Sequence, residues 1–289
     1  MRLTKSSRLR ATAATGIVVA FTVAASGPAA ATPAVGDYVA LGDSYVAGPG
    51  IPETVSDSGI CARSDHNYPS LVAQAAAPTA FTDVSCSGAV TDDMTGRQLG
   101  IAPQFDALTS DTGLVTLTIG GNDAGFAGIV VTCVVLSFSD PTGAPCKNNY
   151  NSGGTDQILQ KLNEIAPKVG AVIQGIHQRS PQAQVLVVGY PDLLPDTKSK
   201  CAVDVPVATG DVPYLNGIEQ RLNQLLAAQA AANDAEFVDT YTSSVGHDLC
   251  QAPGTRWVEG LQDIQDAAPI HPNSLGMANT AAQALSALQ

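Results

Sequence analysis

Apolar runs of two different periods alternate along this chain. Tyr38-Val39-Ala40-Leu41 is a short run stopped by Gly42, the pattern of a buried strand. Leu114 to Ile119 is apolar and β-branched and stops at Gly120-Gly121, and Val185 to Val188 stops at Gly189-Tyr190-Pro191. Ala80 to Val84 and Glu236 to Asp239 read as two further short strands. Between these lie stretches with helical spacing. Thr155 to Arg179 places Ile158, Leu162, Ile165, Val169, Val172, Ile173 and Ile176 on one face, with a kink expected at Pro167. Tyr68 to Ala77 reads as a helix stopped by Pro78, Val212 to Ala232 as an amphipathic helix, and Ser274 to Leu288 as the last helix. Strands apolar on both faces, alternating with helices, specify a parallel sheet covered on both sides. The fold class is therefore α/β. Irregular stretches at 47–67, 136–154, 192–211 and 243–268 each hold a cysteine, and no low-complexity linker divides the chain. The pattern predicts one domain over residues 32–289, with long loops stapled on one side.

Composition narrows the class. A hydrophobic fraction of 45% in 289 residues excludes a disordered chain. Fourteen basic residues against 26 acidic ones give a net charge of −12, which argues against nucleic acid as a partner. No fibrous period or internal repeat is present. The chain starts with Arg2, Lys5, Arg8 and Arg10 and no acid, continues in the apolar run Ala11 to Ser26, and offers small residues at Ala29-Ala30-Ala31. That order is expected of a secretory signal peptide over residues 1–31, with an uncleaved anchor as the alternative. The run falls short of the ~20 residues that span a bilayer. Its removal would take four of the 14 basic residues and no acid, leaving 10 against 26, or −16. Export predicts an extracellular protein without a stable membrane anchor, and nothing requires more than a monomer. It also explains the cysteines: Cys61, Cys86, Cys133, Cys146, Cys201 and Cys250 form an even set, as disulfides require. Zinc is the other use of such residues, but no C-x-x-C pair occurs, and no metal or other cofactor is implied. Six cysteines allow fifteen connectivities; consecutive pairing is the working hypothesis.

The chemistry should lie beyond the carboxyl ends of the strands. Gly42-Asp43-Ser44-Tyr45, Cys86-Ser87-Gly88-Ala89 and Gly120-Gly121-Asn122-Asp123 follow strands there, and Pro269-Ile270-His271-Pro272-Asn273 precedes the last helix. Each segment alone has the composition of an ordinary turn. Together they complement one another. A nucleophilic serine needs a base, and His271 is the only histidine among them. A tetrahedral intermediate needs donors, and Gly88 offers an unobstructed N–H and Asn122 an amide.

These four blocks resemble the SGNH (GDSL-type) hydrolase family, whose serine, glycine, asparagine and histidine would here be Ser44, Gly88, Asn122 and His271. The resemblance covers nearly the whole chain after residue 31. It is strongest to the secreted actinobacterial lipases, esterases and phospholipases with three disulfides. It implies a flavodoxin-like three-layer α/β/α sandwich and a serine carboxylic-ester hydrolase. Catalytic Ser44 and His271 would act with an oxyanion hole of Ser44, Gly88 and Asn122, on acyl-ester or lipid substrates. The subgroup's disulfides favour Cys61–Cys86, Cys133–Cys146 and Cys201–Cys250. The G-x-S-x-G elbow of the α/β-hydrolases is absent around Ser44. The sequence departs from the family at one point: the usual acid three residues before the histidine is Ala268. Either Asp266 reaches the imidazole through another turn, or a backbone carbonyl of Ala268 or Pro269 accepts the Nδ1–H.

The other candidates carry plainer readings. Asp43 and Asp123 are expected to stabilise their turns. His66 and His247 lack partners at useful spacing, and His177 is expected to be a solvated helix residue. Trp257 either lines an acyl pocket or anchors a loop. The uncharged block Ala127 to Phe138 is either a buried helix or a wall of the acyl site, closed by Cys133. Two other functions share the fold: an acetyl-carbohydrate esterase, and an inactive binding module, against which the four intact blocks weigh.

Overall fold

The computed structural model describes residues 35–288, so the signal peptide expected over 1–31 lies outside the described residues. The chain enters at β1 (Asp37–Gly42) and passes through the short α1 (Ser44–Ala47) and α2 (Tyr68–Ala76) to β2 (Phe81–Asp83). β3 (Thr112–Thr118) leads to α3 (Phe126–Ser137), α4 (Pro145–Tyr150) and the long α5 (Gln157–Arg179). Then come β4 (Gln184–Val188), α6 (Val212–Ala232), β5 (Glu236–Val238), α7 (Tyr241–Ser244) and α8 (Ser274–Ser286). The five strands form one parallel sheet in the order β2-β1-β3-β4-β5.

Strand alternation sorts the core into two layers. Tyr38, Ala40, Leu114, Leu186 and Val188 point to one side, where they pack with Tyr68 and Val72 of α2 and Met277 and Ala281 of α8. Val39, Leu41, Val115, Leu117, Val185 and Val187 point to the other, against Ile165, Val169 and Ile173 of α5 and Leu226 of α6. This is the three-layer α/β/α sandwich. The edge strand β2 is shorter than the run Ala80 to Val84, because its outer side chains have no second neighbour and stay exposed. α2 stops at Ala76, and Ala77 turns left-handed (φ +48°) one residue before Pro78, where the proline ring disfavours helix.

All seven apolar residues of the α5 stripe are buried. Asp156 caps that helix by accepting from the N–H groups of Ile158 and Leu159. The helix continues through Pro167, where a kink was expected. Ile165 and Val169 are buried on either side, and their packing offsets the lost hydrogen bond. The 136–154 stretch is not wholly irregular: α3 ends within it and α4 forms there. The cysteines join as Cys61–Cys86, Cys133–Cys146 and Cys201–Cys250. Among the described residues no helix is long and apolar enough to cross a membrane.

Candidate active site

After β1 the chain moves outward to β2, and it returns across β1 to reach β3. The connections leaving the carboxyl ends of β1 and β3 therefore run to opposite faces of the sheet, α2 on one and α5 on the other, opening a crevice at the switch of strand order. Gly42 closes β1 with φ +141°, and a Cβ there would stand 2.4 Å from the Thr118 carbonyl oxygen. Only glycine lets β1 and β3 approach so closely at their ends. Gln104 clamps this point, accepting from the Gly42 N–H at 2.7 Å and donating to its carbonyl at 2.9 Å.

Asp43 caps α1, its Oδ1 accepting from the Tyr45 N–H at 2.9 Å. The cap places Ser44 as the first helical residue, with its hydroxyl toward the crevice. His271 Nε2 lies 2.8 Å from Ser44 Oγ. His271 Nδ1 lies 2.8 Å from the Pro269 carbonyl. A carbonyl only accepts, so Nδ1 carries the proton and Nε2 is left to accept from the serine hydroxyl. Burial pushes the imidazole below the ordinary histidine value, against the opposing pull of the Pro269 carbonyl, and so favours its neutral form.

The departure at Ala268 is thus filled by backbone. The Ala268 carbonyl accepts from the His271 N–H at 3.2 Å, and Asp266 turns the other way to accept from the Ser274 hydroxyl. Ile270, between Pro269 and His271, is left-handed at φ +63°. A β-branched residue is held there only by its surroundings. Its N–H donates to the Glu259 carbonyl at 2.9 Å, and its carbonyl accepts from Tyr45 Oη at 2.6 Å.

Gly88 and Asn122 converge on the same place. Gly88 turns at φ +81°, with only the Gln98 amide near its missing Cβ, at 3.6 Å. The Cys61–Cys86 bridge and the Ser87 hydroxyl, which donates to the Cys61 carbonyl at 2.8 Å, pin this turn. Asn122 Nδ2 donates one hydrogen to the Ala89 carbonyl at 3.0 Å, which leaves its other amide hydrogen for the crevice. Asp123 accepts from the N–H and hydroxyl of Thr91, at 3.0 and 2.5 Å, and ties the two loops together. The N–H groups of Ser44 and Gly88 have no acceptor among the described residues.

A cavity of about 420 Å³ runs inward from Ser44, Asn122 and His271. Its walls are apolar: Ile129 and Val134 of α3, Leu162 of α5, Ile218 and Leu222 of α6, and Leu193 after β4. The block Ala127 to Phe138 therefore forms a wall of the cavity as a helix. It is not a buried helix, since Val131 and Val135 on its far side are exposed.

Several supporting residues carried no signal in the sequence. Tyr190, after β4, donates its hydroxyl to Asp43 Oδ2 at 2.6 Å and accepts from the Gly121 N–H at 2.9 Å, joining the ends of three strands. Burial raises the Asp43 carboxyl to about 7, although both the Tyr190 and Tyr45 hydrogen bonds favour its charged form. Arg256 and Glu259, both fully buried, form an ion pair at 2.5 Å under the histidine loop, and Asn273 donates to Glu259 Oε1 at 3.2 Å.

The remaining histidines stand elsewhere. His66 pairs with Asp65, and His247 stacks on Trp257 at 3.7 Å between ring centroids, so the tryptophan anchors a loop. His177 is half-buried, its Nε2 3.1 Å from the Asn233 carbonyl. It is not the solvated residue its polar neighbours suggested, because the turn before β5 folds back on it.

The sequence profile of the GDSL-like lipase/acylhydrolase family matches residues 40–278. Lipase 2 of Streptomyces coelicolor is 42% identical over 253 residues, spanning 86% of this chain and 84% of its own. The crystal structure of a phospholipase A1 from Streptomyces albidoflavus superimposes with a TM-score of 0.74 at 32% identity, covering 89% of this chain and 100% of that one. An extracellular lipase from Streptomyces rimosus does so with a TM-score of 0.70 at 30% identity, over 88% and 99% of the two chains.

Proposed function

The chain belongs to the GDSL-like lipase/acylhydrolase family and is a carboxylic-ester hydrolase of the lipase/esterase kind; from that premise we propose that it works through an acyl-enzyme on Ser44, with His271 as its base. The observation that carries this reading is the 2.8 Å Ser44–His271 contact at the open end of an apolar cavity. In the first half-reaction Ser44 Oγ attacks the acyl carbonyl carbon while Nε2 takes the hydroxyl proton. The Ser44 and Gly88 N–H groups, which have no acceptor among the described residues, and the amide hydrogen of Asn122 not given to Ala89 receive the oxyanion. The carbonyl bond reforms, and the imidazolium passes its proton to the departing alcohol. In the second half-reaction water attacks the acyl-serine, His271 takes its proton, and the acid leaves as Ser44 is reprotonated. The Pro269 carbonyl holds the tautomer throughout, which makes the site a Ser-His dyad supported by backbone.

The substrate class follows from the cavity. Its volume lies within the range of small-ligand sites, and its apolar wall suits a medium or long acyl chain better than an acetyl group. Acylglycerols and phospholipid acyl esters both supply such a chain, in keeping with the names of the Streptomyces relatives. Three disulfides support an extracellular setting. The test is a series of p-nitrophenyl esters from acetyl to palmitoyl, run beside phosphatidylcholine and acetylated xylan. A fluorophosphonate should label Ser44. Turnover should rise from acetyl to octanoyl. Preference for acetyl esters or acetylated xylan would refute the substrate class, and an unlabelled Ser44 would refute the nucleophile.

A further inference from the structure

α3 carries no charge on any side, and its only polar side chains are Thr132 and Ser137. Its inward face (Ile129, Val130, Val134) lines the acyl cavity, and Cys133 fixes it to α4 through the bridge to Cys146. Its outward face presents Val131 and Val135, continued by Phe138 at its C-terminal cap; the three are 62%, 61% and 80% exposed. With Gly128 these positions follow a 3-4-3 spacing, which makes a single stripe along the helix. No charged residue occurs between Asp123 and Asp140. A soluble surface normally breaks such a stripe with charge.

We propose that the outward face of α3 docks the enzyme on a lipid–water interface that carries no net charge. Three observations commit the face to that partner. The exposed stripe and the acyl-site wall are two sides of one helix, so an interface touching Val131 and Phe138 lies directly outside the cavity that receives the chain. The chain's net charge of −12 opposes an anionic membrane, and the stripe holds no lysine or arginine to offset it. The anchoring of α3 by a disulfide keeps its apolar outer face presented before any lipid is met. Binding of this kind scales with the apolar area transferred from water.

This inference rests on the lipolytic reading for its purpose but not for its measurement. Partition of full-length Ser44→Ala protein onto phosphatidylcholine vesicles, with no turnover to complicate it, reads docking alone. The triple variant V131S/V135S/F138S in the same background should reduce that partition by tenfold or more. In the active enzyme the same changes should lower the ratio of vesicle hydrolysis to soluble-ester hydrolysis. Thermal unfolding should stay within a few degrees of the parent, because the replaced side chains are exposed. Equal partition of parent and triple variant would overturn the proposal, as would binding confined to phosphatidylglycerol vesicles. A parent dimer that the triple variant dissolves, seen by sedimentation, would assign the face to a second copy instead. Vesicle binding without ester hydrolysis would leave docking standing and remove the lipolytic reading.

Discussion

Replacing Asp266 by asparagine separates the two ways in which His271 could be oriented. In a triad, loss of the carboxylate costs about 10⁴ in turnover, or roughly 5 kcal/mol of transition-state stabilisation. In this structure the Asp266 carboxylate accepts from the Ser274 hydroxyl at the start of α8, while Nδ1 of His271 faces Pro269. Asparagine keeps an acceptor oxygen and removes one charge near a helix N-terminus, a change of about 0.3–1 kcal/mol. Even if all of that reached the transition state, turnover would fall only about fivefold. The assay is kcat and kcat/KM of Asp266→Asn on a soluble p-nitrophenyl ester, with the urea midpoint measured in parallel. A loss of a thousandfold or more in kcat at an unchanged midpoint would refute the backbone-oriented dyad.

Other perturbations test the supporting structure. Tyr190→Phe leaves Asp43 Oδ2 and the Gly121 N–H without their shared partner, and should cost about 2–4 kcal/mol in urea unfolding. An unchanged midpoint would show that the hydroxyl does not hold the strand ends. Glu259→Gln strands the buried Arg256 guanidinium, and a loss of about 3–5 kcal/mol is expected by the same measurement. Because burial lowers the His271 value and only the neutral ring accepts a proton, the acid limb of kcat/KM should inflect below about 6.5. An inflection above that value would contradict a buried, neutral base. Burial holds the Asp43 carboxyl at about 7, so between its unfolded value of about 3.9 and 7 the native state binds the extra proton. Its contribution to stability is therefore lost as pH rises through that window, and Asp43→Asn should flatten the decline in urea midpoint from pH 5 to pH 8.

The strands and their helices were legible because each depends on a local period. The α5 stripe from Ile158 to Ile176 is one such case, and all of it is buried. Boundaries drifted by a residue or two where a neighbour decided them, as at the edge strand β2. The short helix α4 lacked a usable stripe, since its core contribution rests on Cys146 and the covalent link to α3. The residues brought to one crevice were readable for another reason. Ser44, Gly88, Asn122 and His271 each sit in a polar, glycine- or proline-bearing segment next to an apolar run, and their chemistries fit one another.

The network behind them was not readable. Tyr190 reaches Asp43 across 147 positions, and nothing local to either residue announces the other. The choice among Asp266, Ala268 and Pro269 turns on the direction of three groups within four residues, beside the left-handed Ile270. The sequence by itself determined the layered α/β architecture and the kinds of group available for ester chemistry, because periodicity and side-chain type are local properties. Only the tertiary structure decided which carbonyl faces His271 Nδ1 and which side of α3 meets the acyl chain and which meets solvent. Those outcomes depend on the packing of segments far apart in the chain, where a turn of one residue exchanges a buried face for an exposed one.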